Sequence, residues 1–472
     1  MHTVEKIGGT SMSRHAEVLQ NLWLRPAPDL YQRIFVVSAY AGITDSLLEH
    51  KKTGESGVYA HFASAGNGAQ WRAALDKTLA RMLEINQSMF SQNEVLQRKA
   101  DNFIQQRIDG TRACLEQIAG ICAYGPFQLS EYLQKVREML AGLGEAHSAF
   151  NSVLLLREHN VNACFVDLTG WEDDSIKPLD ALIDERFAGM DLTNLLPVVT
   201  GYAQCSEGLM CSFDRGYSEM TFSRIACRTN AREAIIHKEY HLSTADPAIV
   251  PVQEVCPIGS TNYDVADQLA NLGMEAIHPR AAKGMRQQKI PLRVKNTFEP
   301  EHLGTLIHYD YVSEKPCVEI IAGSRNVFAL EVFDQEMTGD NHYTLALNEM
   351  VAKAGLRILT KDVNANTFSF YLQGSLDLIR NLLQKIEKNY PDADVTLTKV
   401  AMVAAIGSNM KVPGILNRAV QSLAAAGVNI LSIHQAMRQV DILLAVPPAD
   451  YETAVMALHR GLIDEAQLRR AV

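Results

Sequence analysis

The 472-residue chain has no C-x-x-C pair: its eight cysteines stand apart at positions 114, 122, 164, 205, 211, 227, 256 and 317. That scatter excludes a disulfide framework and a structural zinc site, and leaves reduced, mostly buried thiols. No apolar run is long enough to span a bilayer. No signal-like stretch precedes the first glycine turn, so a cytoplasmic protein without membrane contact is expected. Basic runs are missing as well, and a formal net charge of −10 argues against nucleic acid as a general partner. The G-x-x-x-x-G-K-[ST] phosphate loop occurs nowhere.

What is present is a well-packed composition, with 47% hydrophobic and 21% charged residues over a length that suits roughly three domains. An acidic protein that binds an anion must gather positive charge locally. One such place is Glu5-Lys6-Ile7-Gly8-Gly9-Thr10-Ser11, at the expected end of a first strand. Glycines without Cβ let backbone N–H groups approach a ligand. A helix starting near Ser13 would aim its positive end there, and Lys6 adds a mobile point charge suited to phosphate oxygens. The same residue types also make ordinary turns, so the segment needs support from elsewhere.

Short apolar runs alternate with helical patterns. Ile34 to Ser38 reads as a buried strand leading into the small-residue turn Ala39-Tyr40-Ala41-Gly42-Ile43-Thr44. Residues 70–140 read as largely helical, and Gly142-Leu143-Gly144 as a break before a helix beginning at Glu145. Strands are expected at Ala163 to Val166, Leu195 to Tyr202 and Glu233 to Leu242, with a helix from Glu219 to Thr229. This alternation predicts an α/β fold, a mostly parallel sheet sandwiched by helices, with ligands at the carboxyl ends of the strands. After residue 310 the texture changes to two β-α-β-β-α units of similar length, consistent with ferredoxin-like βαββαβ modules.

Five segments occur in one order: Lys6-Ile7-Gly8-Gly9-Thr10-Ser11, Val36-Val37-Ser38-Ala39 with Gly42-Ile43-Thr44, Gly144-Glu145, Asp214-Arg215-Gly216-Tyr217-Ser218, and Thr244-Ala245-Asp246-Pro247. That order resembles the aspartate kinases of the amino-acid-kinase superfamily, and the tail resembles their paired ACT domains. The resemblance implies a catalytic domain over 1–309 and ACT domains over 310–396 and 397–472, with exchange of strands between the two left open. It implies transfer of a phosphoryl group from ATP, carried with Mg2+, to the side-chain carboxylate of L-aspartate. It also implies a homodimer or larger homo-oligomer built through the ACT domains. By the same likeness, Lys6 neutralises the transferring group and Gly8 and Gly9 donate to it. Glu145 holds the substrate ammonium, and Arg215 pairs with a carboxylate. Thr10, Ser11, Ser38, Thr44 and Ser218 line the substrate. His237, Lys238, Ser243 and Asp246 face the nucleotide, and Glu219 is reached through the Mg2+ of the nucleotide.

The chain departs from the pattern in its nucleotide half. Tyr217 fills a glycine position, and His237-Lys238-Glu239-Tyr240-His241 replaces a Thr-Asp-Val-Pro-Gly segment. Ala248 and Glu275 stand where cations are usual, while Lys238 adds one. In this the chain resembles the divergent aspartate kinases associated with synthesis of the osmolyte ectoine. Leu359 and Ala365 occupy positions that are acidic in lysine-sensitive members, and apolar groups cannot offset the desolvation of an ammonium. Lysine feedback is therefore expected to be weak or absent. A kinase for another small carboxylate and a catalytically inactive ACT-domain sensor stand as alternatives at this point.

Overall fold

The computed structural model describes residues 2–26, 29–50, 53–64, 68–171, 173–210, 216–274, 276–338 and 341–463. The chain divides into two compact units, one of Met1–His241 with Ile277–Tyr309, the other of Leu242–Ala276 with Asp310–Val472. The segment Leu242–Ala276, expected in the catalytic domain, thus clusters with the second unit.

The first unit is built on six parallel strands, Leu292–Asn296 and the five labelled β1 (Thr3–Ile7), β2 (Arg33–Val37), β3 (Ala163–Val166), β4 (Leu196–Thr200) and β5 (Glu233–Lys238). They lie in the order β3-β4-β2-β1-β5, followed by Leu292–Asn296 and, antiparallel, Thr305–His308. Central strands are buried, as a sheet covered on both faces requires; every residue of β2 and β4 is buried, Arg33 and Thr200 included, and β1 adds the buried Glu5. Ile7 is level with Val37 on one side and His237 on the other, and Val37 is level with Thr200. Successive strands pass from β1 to β2 on one side, while β5 lies on the other. The order therefore reverses at β1, the position where α/β sheets place a ligand beyond the strand ends.

Two features differ from expectation. The first turn after β1 is a four-residue helix, Gly9–Met12, which begins before Ser13. And Gly142-Leu143-Gly144 does not break a helix: Leu133–Glu158 runs through it without interruption. The glycines serve close approach instead. A Cβ on Gly144 would stand 2.6 Å from the Cβ of Ala39, and one on Gly142 would stand 3.0 Å from Thr169 Cβ. Helical backbone tolerates glycine when the missing side chain is where another element must sit.

The second unit carries one antiparallel sheet that serves both expected modules. Ile320–Phe333 and Asp394–Ile406 are long strands, and each is used twice. The stretch 327–333 pairs with both 394–400 and Thr367–Gln373, closing the first module with Arg357–Val363 at its edge. The stretch 320–324 pairs with 402–406, which pairs in turn with Asp441–Val446. The second module therefore takes its fourth strand from chain that precedes the first. Leu347, Val351, Ile379 and Leu382 cover the first module, and Ala419, Leu423, Val455 and Leu458 cover the second. On the opposite face, Val265 and Leu269 of the helix Tyr263–Asn271 pack with Leu359, Tyr371, Met402 and Leu443. Leu359 is apolar because it is core.

Candidate active site

The carboxyl ends of β1, β2, β4 and β5 converge on Lys6, near the end of β1. Its ammonium lies 3.6 Å from Glu219 Oε1, both side chains nearly buried. Glu219 Oε2 accepts from the His278 backbone N–H at 2.6 Å, which ties the helix Tyr217–Arg228 to the start of Pro279–Gln287.

The loop after β1 is held close to the loop after β2. The Ala41 N–H donates to Ser13 Oγ at 2.8 Å, and Arg81 donates to the Ala41 carbonyl at 2.8 Å. A Cβ on Gly9 would meet the Ala39 carbonyl oxygen at 2.5 Å, so only glycine allows this approach. Gly42, at φ +78°, turns the chain into the short helix Ile43–Leu47, which carries half-buried Thr44. Ser38 donates its N–H to the Ile7 carbonyl at 3.1 Å, and its own carbonyl accepts from Ser148 Oγ at 2.9 Å. Buried Ser11 contacts Thr297 Oγ1 at 3.1 Å and donates to Glu239 at 3.3 Å, whereas Thr10 is exposed.

Glu145 sits at the centre of Leu133–Glu158 with a side chain in the interior, the residue being 1% exposed. Its Oε1 accepts from the Tyr217 hydroxyl at 3.1 Å, and its Oε2 has no hydrogen-bond partner among the described residues. Burial pushes its carboxyl up to about 7; backbone dipoles, the Tyr217 hydroxyl and the charge of Lys6 limit the rise. Tyr217 packs edge-on against Tyr202, whose hydroxyl donates to Glu138 at 2.9 Å. Ser218 is buried where a Cβ on Gly201 would stand 2.8 Å from its Oγ.

Other expected nucleotide residues fall differently. The His237 ring is 0% exposed and bonds Glu5 Oε2 at 2.8 Å, so it is part of the sheet interior and cannot present itself to a nucleotide. Glu5 also takes Arg33 Nε at 2.7 Å, and its carboxyl is held well below the usual carboxylate range by Arg33 and His237 against the cost of burial. Only the backbone of His237 reaches the site, its carbonyl accepting from the Gly8 N–H at 3.4 Å. Lys238 is half-buried at the end of β5, in register with Asn296, and its carbonyl accepts from the Thr297 N–H at 2.8 Å. Ser243 and Asp246 belong to the second unit, where Asp246 Oδ1 accepts from the Ala248 N–H at 2.9 Å. Arg215 lies outside the described residues.

Sequence reasoning missed the Glu5–Arg33–His237 triad. Its signal was available: Glu5, Arg33 and His237 are charged or titratable residues set beside apolar ones within short buried strands. It also missed Thr297, which only the fold brings to Ser11.

The pattern of the Amino acid kinase family matches residues 1–296, and an ACT domain matches residues 403–462. The chain is 56% identical over 466 residues to the aspartate kinase Ask_Ect of Stutzerimonas stutzeri, covering 98% of each. It is 28% identical to aspartokinase 1, chloroplastic, of Arabidopsis thaliana over 58% of this chain and 49% of that one. In fold it is similar to E. coli aspartokinase III in complex with aspartate and ADP, with a TM-score of 0.71, 20% identity and 98% of this chain covered against 100% of the other. The same protein in complex with lysine and aspartate gives a TM-score of 0.72 at 21% identity with the same coverage.

Proposed function

Because this chain belongs to the amino acid kinase family, and within it to the aspartate kinases, we propose that the cluster around Lys6 and Glu145 is where it phosphorylates aspartate. The reaction uses ATP and yields 4-phospho-L-aspartate and ADP. A side-chain carboxylate oxygen attacks the γ-phosphorus, and the bond from that phosphorus to the β,γ-bridging oxygen breaks. No covalent enzyme intermediate is needed, so catalysis rests on positioning and on neutralising charge.

The observation that carries this reading is the pairing of one mobile cation with one buried acid that retains an open oxygen. Lys6 stabilises charge on the transferring group, taking phosphate oxygens in place of Glu219. Glu145 receives the substrate ammonium on Oε2, which satisfies a buried carboxylate that otherwise lacks a partner there. Arg215 takes a substrate carboxylate through its planar fork. Ser38, Thr44 and Ser218 supply neutral hydrogen bonds, with Thr10 and Ser11 at the margin. Gly8 and Gly9 offer backbone N–H groups, and Lys238 meets the nucleotide from β5. Glu219 lies 3.6 Å from the Lys6 ammonium, which suits a Mg2+ ion whose other ligands are phosphate oxygens and water.

The acyl phosphate product feeds aspartate-derived amino acids, and the similarity to Ask_Ect supports a place in ectoine synthesis. Assembly through the ACT modules into a homodimer or larger homo-oligomer, in the cytoplasm, completes the reading. An ATP-dependent hydroxamate assay with aspartate and glutamate, repeated with Lys6→Ala, tests it. Hydroxamate from aspartate that disappears in the variant is expected; equal turnover of glutamate, or a fully active variant, would overturn the assignment.

A further inference from the structure

A polar cavity of about 340 Å³ lies at the amino-terminal half of β1, β2 and β5. Its lining includes five cations, Arg25, Arg33, Arg232, Arg293 and Lys295. Against them stand three carboxylates, Glu5, Asp29 and Glu233, leaving an excess of two positive charges in a chain whose formal charge is −10.

The internal pairing leaves donors unused. Arg33 is 3% exposed; its Nε and Nη2 serve Glu5 and the Leu22 carbonyl, its guanidinium lies over the Phe35 ring, and its buried Nη1 has no hydrogen-bond partner among the described residues. Lys295 donates to the Pro300 carbonyl at 3.0 Å, which leaves the other ammonium protons available. Arg293 is paired with Glu233 at 2.6 Å. The cations also disfavour one another: burial and the charge of Arg33 lower the Arg25 pKa, and burial and Arg25 lower that of Lys295. Guanidinium and ammonium donors that line a cavity are satisfied by an oxyanion more readily than by a neutral ligand.

We propose that this cavity is a second ligand site, distinct from the Lys6 cluster, and that it takes a small phosphoryl oxyanion. A dianion cancels the excess of two charges, and its oxygens match the guanidinium forks. The volume accommodates either free phosphate or the phosphate end of a small phosphomonoester. The site is wired to the catalytic loop, because the same Glu5 that holds Arg33 also holds His237, whose carbonyl accepts from Gly8.

Titration calorimetry on the full chain tests this, with a non-hydrolysable ATP analogue filling the nucleotide site and chloride keeping ionic strength constant. Inorganic phosphate and glycerol 3-phosphate are the two probes. One equivalent of phosphate should bind with the analogue present, and Arg25→Gln and Lys295→Gln should each weaken binding at least ten-fold while keeping kinase turnover. Tighter binding of glycerol 3-phosphate would mark a phosphomonoester site, and equal or weaker binding a site for free phosphate; both support the proposal. Loss of the phosphate signal once the analogue is bound would overturn it, as would wild-type affinity in both folded variants.

Discussion

The Tyr217 hydroxyl donates to Glu145 Oε1 at 3.1 Å, so a residue that replaces an expected glycine is a direct partner of the acid assigned to the substrate ammonium. Tyr217 therefore shapes the site as well as its neighbourhood. It stabilises the charged form of a carboxyl that burial raises to about 7.

The pH profile follows. On the proposal that Glu145 holds the substrate ammonium it must be ionised, so kcat/KM for aspartate should rise with pH through about 7. Tyr217→Phe removes a bond to the carboxylate and should move that midpoint up by about one pH unit, given the strength of hydrogen bonds to charged groups. An unshifted profile in the variant would mean that the hydroxyl does not tune Glu145.

Stability should carry the opposite mark of the same residue. The folded state holds the Glu145 proton more tightly than the unfolded chain, whose carboxyl titrates near 4.5. Stability is therefore fullest below that value and falls as pH rises through about 7, by up to about 3 kcal/mol for this group. Glu145→Gln should be the more stable protein at pH 8 and show little gain at pH 4, while losing aspartate turnover. Urea melts at the two pH values check this.

Glu5 behaves in the reverse sense. Its carboxyl is held well below the usual range, so its contribution is present above about pH 4.5 and is lost as pH falls toward the depressed value. Glu5→Gln leaves Arg33 buried without a counter-charge and should cost about 3–5 kcal/mol at neutral pH. The loss should shrink in acid, where the wild type weakens too.

Gly144→Ala should separate the helix Leu133–Glu158 from the turn at Ala39. The added Cβ would stand 2.6 Å from a neighbouring side chain, an overpacking that costs about 1–3 kcal/mol. Because Glu145 follows directly, the KM for aspartate should rise more than kcat falls. A melting shift with unchanged kinetics would show that the displacement stops short of the site.

Lysine should inhibit weakly or not at all below millimolar concentration in a steady-state assay. Leu359 packs beneath the helix Tyr263–Asn271, and Ala365 is exposed without a charged group of its own. Sub-millimolar inhibition would refute the expectation.

The loop after β1 could be singled out from sequence because a lysine, two glycines and hydroxyls stand together at the end of a strand, although the same types also make ordinary turns. Glu145 was legible only through its place in a series of motifs, since an acid in a helix has many ordinary roles. Gly142 and Gly144 misled because their effect depends on what lies across from them, and Ala39 is about a hundred residues away. His237 misled for a related reason: a strand alternates its faces, and this ring is on the face shared with Glu5. The helix Tyr263–Asn271 could not be assigned to the second unit from local pattern alone, because its apolar side fits any sheet of suitable curvature.

The two long strands, Ile320–Phe333 and Asp394–Ile406, have a mechanical consequence. Each runs from one module into the other with only a register shift between Val400 and Met402, so force or local fraying at one end is transmitted along continuous backbone, with no linker to absorb it. A fragment beginning at residue 397 would retain two helices but lack the strand 320–324 that borders 402–406. It would expose an unpaired edge and be prone to associate with other chains. The tail is better regarded as one woven element, in which a change at either module's helices is felt through shared strands by its neighbour.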